Sequence, residues 1–182
     1  MRIISGQHKG RRITAPKKLP VRPTTDMAKE GLFNILNNNF HFNKLHVLEL
    51  FSGSGNISYE FASRGAVSVT SIDENIDCIK FIKKTSQELE MDITPIKSDV
   101  FKYLERAPIK ADIIFADPPY NFEVDQAKKI VDLVFEKELL NKDGVLIIEH
   151  SKHTKLSGLE NFDVDRRYGN SVFSFFKTKL NE

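Results

Sequence analysis

Along the chain, short apolar and β-branched runs alternate with longer stretches in which apolar residues recur every three or four positions, the pattern of strands alternating with helices. The runs at 45–51, 67–73, 93–97, 111–116, 145–149, 162–166 and 172–177 predict strands, and the stretches 75–89 and 123–135 predict helices, with a helical segment near 101–104. The run 111–116 is apolar throughout, as in a parallel strand buried on both faces. Ahead of these elements, the segments 2–6 and 11–14 flank a turn region from Gly6 to Gly10 and can pair as a small hairpin. After a loop at 15–23, Thr24 or Thr25 can cap a helix whose apolar face is Ala28, Leu32, Ile35 and Leu36.

Composition narrows the picture a little. A chain of 182 residues with 40% hydrophobic content can bury one core. It therefore reads as a single domain over 1–182, with a basic hairpin and helix at 1–40 and a core at 41–182. No apolar stretch is long enough to span a bilayer, and Met1-Arg2-Ile3-Ile4 lacks the layout of a signal peptide, so a cytoplasmic protein is expected. The single cysteine, Cys78, excludes an internal disulfide and reads as a small buried apolar residue. The histidines show no metal-ligand spacing, and no metal is expected; His150 follows a predicted strand and could face its rim. Net charge is only +2, but its distribution is uneven: residues 1–30 hold eight basic and two acidic residues, the remainder 19 basic and 23 acidic. That asymmetry fits a phosphate-binding arm on a neutral or acidic body, or else a solvated basic terminus.

The chemistry-bearing residues stand at predicted strand ends, where open α/β sheets bind their ligands. Asp117-Pro118-Pro119-Tyr120 follows the apolar strand. Its prolines stiffen the backbone, so Asp117 and the Pro118 carbonyl can present two acceptors to an exocyclic amine while Tyr120 stacks on the ring that carries it. Asp-Pro-Pro is also ordinary turn chemistry. Upstream, Glu49-Leu50-Phe51-Ser52-Gly53-Ser54-Gly55 runs from a strand through a Gly-x-Gly turn into a helical pattern. Such a turn lets backbone approach a ligand closely at a helix N-terminus. Ser58 stands where a dinucleotide fingerprint would place a third glycine, which disfavours a nicotinamide cofactor. Asp73 lies about twenty residues beyond the glycines, in the place of a ribose-binding carboxylate. Asp99-Val100 follows the next predicted strand. Each acid alone also fits a helix N-cap.

The order Glu-x-Phe-x-Gly-x-Gly, strand-end Asp, Ser98-Asp99-Val100 and Asp-Pro-Pro-Tyr resembles a class I methyltransferase that uses S-adenosylmethionine. The N-terminal pattern is more specific: Arg2-Ile3-Ile4-Ser5-Gly6 with Lys9-Gly10-Arg11, then Arg22-Pro23-Thr24-Thr25-Asp26, then Lys29-Glu30 before Leu32-Phe33-Asn34. It resembles the RsmD family of small-subunit (16S) ribosomal RNA guanine-N2 methyltransferases, and the likeness extends to Arg167-Tyr168-Gly169-Asn170. The resemblance implies a Rossmann-like, doubly wound seven-stranded sheet, parallel except for a C-terminal strand. It implies S-adenosylmethionine held by Glu49, Phe51, Gly53, Ser54, Gly55, Asp73, Asp99 and Val100, with Asp117, Pro118 and Tyr120 catalytic. Ribosomal RNA would meet Arg2, Lys9, Arg11, Arg12, Arg22 and Lys29, with the protein a monomer acting within a small-subunit assembly particle. Lys29 stands where the family usually has arginine, and Asp73 where it often has glutamate. Two other readings stay open: an adenine-N6 methyltransferase acting on DNA or RNA, and a nonenzymatic ribosome-assembly factor.

Overall fold

The computed structural model describes residues 1–19, 21, 24–119 and 121–179. Among them, seven strands form one sheet in the order β3-β2-β1-β4-β5-β7-β6. The strands are β1 (His46–Leu50), β2 (Ser68–Asp73), β3 (Ile93–Lys97), β4 (Ala111–Ala116), β5 (Leu140–Ser151), β6 (Phe162–Tyr168) and β7 (Ser171–Phe176). Pairing is parallel from β3 through β5, and β7 runs antiparallel to both β5 and β6. This is the doubly wound, Rossmann-like sheet the sequence predicts, with its one reversed strand inserted between β5 and β6.

The helices are α1 (Asp26–Asn39), α2 (Asn56–Ser63), α3 (Ile76–Glu88), α4 (Val100–Arg106) and α5 (Val124–Glu136). Each sheet face carries its own core, because side chains alternate across a strand. Val47, Ile113, Phe115 and Ile147 pack with α1, α2 and α3 through Leu32, Phe33, Phe61 and Ile82. Leu48, Ile114, Leu146 and Ile148 pack on the opposite face with α4 and α5, through Leu104, Ile130 and Val134. Cys78 is buried, as its surroundings in the sequence imply.

Several boundaries differ from expectation. β5 begins five residues early, at Leu140, because its first part pairs with Ala111 across an irregularity before the regular register starts at Val145. The N-terminal hairpin contracts to a single antiparallel bridge, Arg2 to Arg12, flanked by Ile3 N donating to Arg11 O (2.9 Å) and Ile13 N to Met1 O (3.0 Å). Ile3 and Ile13 are nevertheless buried against α1 and α2, so the basic arm is part of the folded body. Of the two candidate caps for α1, Thr25 takes the role, accepting from Ala28 N at 3.2 Å.

Candidate active site

The sheet order places the point where connections diverge between β1 and β4, since β1 leads outward to β2 while β4 leads to β5 on the other side. Ligands of open α/β sheets bind at the carboxyl ends of strands beside such a point. A cleft of about 1170 Å³ opens there, lined by Phe51 and Gly53 after β1, Asp73 after β2, Asp99 after β3, and Asp117 and Pro118 after β4. Glu49, Ser54 and Val100 also line it. The ends of β2, β3 and β4 thus each bring an aspartate to one rim, and the expected set converges except at the positions named below.

The turn after β1 is held from below and from the side. Ser52 N donates to Ile72 O (3.0 Å), and Gly53 N to Asp73 Oδ2 (2.8 Å). Asp73 Oδ1 accepts from Asn75 N (2.8 Å), so this carboxylate joins the glycine turn to the start of α3. Each carboxylate oxygen has a second acceptor site, which leaves Asp73 able to accept from hydroxyl groups in the cleft. Asp99 caps α4 by accepting from Lys102 N (2.9 Å), so capping and cleft-lining coexist in one side chain. Phe51 takes φ +57 and packs edge-on against Phe122, which lies parallel to Phe101 with centroids 6.4 Å apart. These rings form an apolar wall that the sequence did not announce, because nothing about an isolated Phe122 marks it as facing Phe101 across two loops.

Glu49 is buried and accepts from Ser58 N (3.0 Å), with the Ser58 hydroxyl in contact with the same oxygen and bonded to Ser71 Oγ at 2.6 Å. Burial pushes its pKa up to about 8, against the partial relief that the Ser58 hydrogen bonds provide. Its main contacts therefore tie β1 to α2 at the floor of the cleft.

Two expectations change, those for Gly55 and Lys29, while His150 reaches the cleft as its place after a strand allows. Gly55 (φ +82) faces the core and not the cleft: a Cβ there would lie 2.9 Å from both Ile82 Cγ1 and the Tyr59 ring, and its N–H donates to Ser52 O (2.7 Å). Close packing behind the turn, and not clearance for a ligand, requires glycine at this position. Lys29 is fully buried, so it does not meet a phosphate. Its ammonium donates to Arg2 O (2.6 Å) and Asn56 Oδ1 (2.9 Å) and sits 3.3 Å from Glu60 Oε2. Burial lowers its pKa, with Glu60 pulling the other way. His150 lines the cleft, but its Nδ1–H donates to Ser151 O (2.9 Å) and its Nε2 bonds Ser174 Oγ (2.8 Å), which makes it a strut. Tyr120 and Arg22 lie outside the described residues.

Of the other expected RNA contacts, Lys9, Arg11 and Arg12 are exposed, and Arg2 is half-exposed beside Asp26 at 3.4 Å. Sequence reasoning assigned no role to the buried polar residues Asn56, Glu60, Ser63 and Glu149, and Thr24, a candidate cap, is instead buried against Glu149. Asn56, Glu60 and Ser63 recur at helical spacing on the same helix as apolar Ile57 and Phe61, and a polar stripe on a helix otherwise destined for the core was the available signal.

The donor set fits S-adenosylmethionine: an amide-rich turn, carboxylates at two strand ends and an aromatic wall suit a ligand with hydroxyl groups, cationic charge and a purine. Comparison with known proteins agrees. Ribosomal RNA small subunit methyltransferase D of Buchnera aphidicola subsp. Baizongia pistaciae is 34% identical over 150 residues, covering 82% of this chain and 75% of that protein. The Escherichia coli protein yhhF superimposes with a TM-score of 0.83 at 23% identity, covering 100% of this chain and 99% of its own. The same fold appears in the Thermus thermophilus 16S rRNA N2 methyltransferase RsmC in complex with AdoMet and guanosine, with a TM-score of 0.68 at 20% identity over 88% of this chain and 45% of that one. The family model described as conserved hypothetical protein 95 matches residues 1–177. With the family's glycine turn, strand-end acids and basic arm all in place, the chain belongs to this family, that of the RsmD-type methyltransferases.

Proposed function

We propose that the protein transfers a methyl group from S-adenosylmethionine to the exocyclic N2 amine of a guanine in small-subunit ribosomal RNA. The observation that carries this reading is the placement of Asp117 and Pro118 on the same cleft as Gly53 and Asp73, across the point where the sheet's connections diverge. When bound, S-adenosylmethionine supplies an electrophilic methyl carbon attached to a sulfonium, which is a good leaving group. Gly53 and Ser54 hold its methionine end, Asp73 accepts from the ribose hydroxyls, and Asp99 with the Val100 backbone meets the adenine.

A guanine amine attacks poorly because its lone pair is delocalised into the ring. Asp117 and the Pro118 carbonyl accept hydrogen bonds from that amine, which orients the nitrogen and favours its pyramidal form. Tyr120 fixes the ring plane by stacking. Catalysis on this scheme rests on orientation and on acceptors placed in advance, so Asp117 takes up the proton that departs after attack without needing to be a strong base. Base stacking hides this edge in a duplex, so the target base enters unstacked. The exposed Lys9, Arg11 and Arg12 meet the RNA backbone. The protein acts as a cytoplasmic monomer on a partly assembled small-subunit particle.

Mass mapping of modified nucleosides in small-subunit ribosomal RNA, from cells with and without the gene, tests the assignment. The expected result is an N2-methylguanine that disappears on deletion and returns with the wild-type gene but not with Asp117→Ala. Loss of an N6-methyladenine in its place would move the reaction to adenine, and an unchanged methylation map would overturn the reading.

A further inference from the structure

The basic arm grips α2 along its whole length. At the start of the helix, Lys29 Nζ bridges Arg2 O and Asn56 Oδ1 (2.6 and 2.9 Å). In the middle, Glu60 accepts from Ile4 N (2.8 Å), Ser5 N (3.0 Å) and Arg64 Nε (2.9 Å), besides its ion pair with Lys29. At the end, Ser63 Oγ donates to Ser5 O (2.7 Å) and accepts from His8 N (3.0 Å), while Gln7 N donates to Ser63 O (2.7 Å). The arm turn lies so close that a Cβ on Gly6 would fall 1.9 Å from Ser63 O.

Asn56 carries the linkage into the cleft. It is the first residue of α2, it lines the cleft, and its Nδ2 donates to Thr24 O (3.2 Å). Thr24 Oγ1 in turn donates to Glu149 Oε2 (2.9 Å) at the end of β5, the strand beside β4. One chain of buried polar groups therefore runs from the arm backbone to both walls of the cleft. Such networks have two states, satisfied or broken, because a half-satisfied buried charge is costly.

We propose that Lys29 is a positioning residue: through Asn56 and Glu60 it fastens the RNA-binding arm to the head of α2, so that arm seating and the shape of the cofactor turn are set together. Cofactor and RNA binding are then coupled, and the coupling is reciprocal. This rests on the proposed function for the identity of both ligands, but the cofactor measurements below need no RNA and no turnover.

Lys29→Met with Glu60→Gln replaces the charge pair by neutral groups, and Lys29→Arg keeps the charge. Calorimetry with S-adenosylhomocysteine should give a dissociation constant raised about tenfold or more in the neutral double variant and within about threefold of wild type in Lys29→Arg. The salt slope of binding to small-subunit ribosomal RNA should stay at the wild-type value in both, since no phosphate contact is lost. Unchanged cofactor affinity in a folded double variant, whatever its melting temperature, would overturn the proposal by reducing the pair to a structural tie. A salt slope lower by one unit with unchanged cofactor affinity would overturn it differently, by making Lys29 a phosphate contact. Hydrogen exchange on the wild type covers the case in which the double variant does not fold. Saturating S-adenosylhomocysteine should slow exchange at the Ile4 and Ser5 amides, and unaltered exchange there would equally defeat the idea. Absence of methyl transfer to ribosomal RNA by wild type would overturn the functional reading alone, leaving the cofactor and exchange results to decide the coupling.

Discussion

Glu49 carries an unusual load for a single side chain. Its pKa of about 8 in the fold lies above the ordinary value of 4.5, so between those limits the native state retains a proton that the unfolded chain has released. The stabilisation linked to this group is complete below about 4.5 and is lost as pH rises through about 8. Stability should therefore fall by about 1.4 kcal/mol per pH unit from this group across that window. Glu49→Gln, which keeps an acceptor for Ser58, should flatten the dependence in urea unfolding measured over the same range, and an equally steep profile in the variant would assign the proton elsewhere. The two turn glycines separate in a similar way. Both Gly53 and Gly55 adopt positive φ, so an alanine at either costs about 1–2 kcal/mol for its backbone alone. Only at Gly55 does the new methyl also strike the core, at Tyr59 and Ile82, whereas at Gly53 it meets the movable Val21 side chain at 3.1 Å across the cleft mouth. Gly55→Ala should lose more unfolding free energy and Gly53→Ala more cofactor affinity; the reverse order in paired unfolding and calorimetric titrations would refute that division.

Helix α1 shows how an element is placed by what it lacks. Gly31 sits in its interior, where glycine is worse than alanine by about 1 kcal/mol on intrinsic propensity. A Cβ there would lie 2.2 Å from the Tyr168 ring at the end of β6, so the missing side chain is what lets α1 lie against that strand. Tyr168 also packs on Phe173 of β7 with centroids 5.9 Å apart, which leaves the ring little room to retreat. Gly31→Ala should therefore destabilise, against the propensity scale, and Gly31→Ala with Tyr168→Ala should recover part of the loss. A stabilised single variant in thermal unfolding would mean that the ring swings aside. Helix α2 shows the complementary device, in which a polar stripe of Asn56, Glu60 and Ser63 is buried because the arm supplies its partners.

For the whole molecule, the asymmetry of charge becomes a matter of geometry. The basic arm is packed on α2, the helix that leads from the cofactor turn, with Lys9, Arg11 and Arg12 left in solvent. Arg11→Ala with Arg12→Ala should weaken ribosomal RNA binding and reduce its salt dependence by about one log-log unit per lost phosphate contact. Cofactor affinity should not move, because the arm's buried anchors are backbone groups of Arg2, Ile4 and Ser5 and are untouched. Binding to small-subunit RNA at several salt concentrations decides it: an unchanged slope in a folded variant would place the recognition surface elsewhere.

Much was legible in the chain itself. Short apolar and β-branched runs marked the strands, most plainly β1, β4 and the second half of β5, which are buried on both faces and so need near-continuous apolar stretches, and the strand-end positions of Gly53, Asp73, Asp99 and Asp117 followed from counting along the chain. Local chemistry also named the cap alternatives for α1 and α4, since capping depends on neighbours within a single turn. The roles of Lys29, Gly55 and Asn56 were not legible, because each depends on partners brought in from another element. A lysine in a basic segment looks like a phosphate contact until α2 places Glu60 and Asn56 against its ammonium, 31 and 27 positions away. A glycine in a ligand-type turn looks like clearance for the ligand until α3 places Ile82 behind it. Spacing along the chain determines which residues reach the rim, whereas burial and partnership arise only when separate segments pack, and they alone separate the groups that face the ligands from those that hold the site in shape.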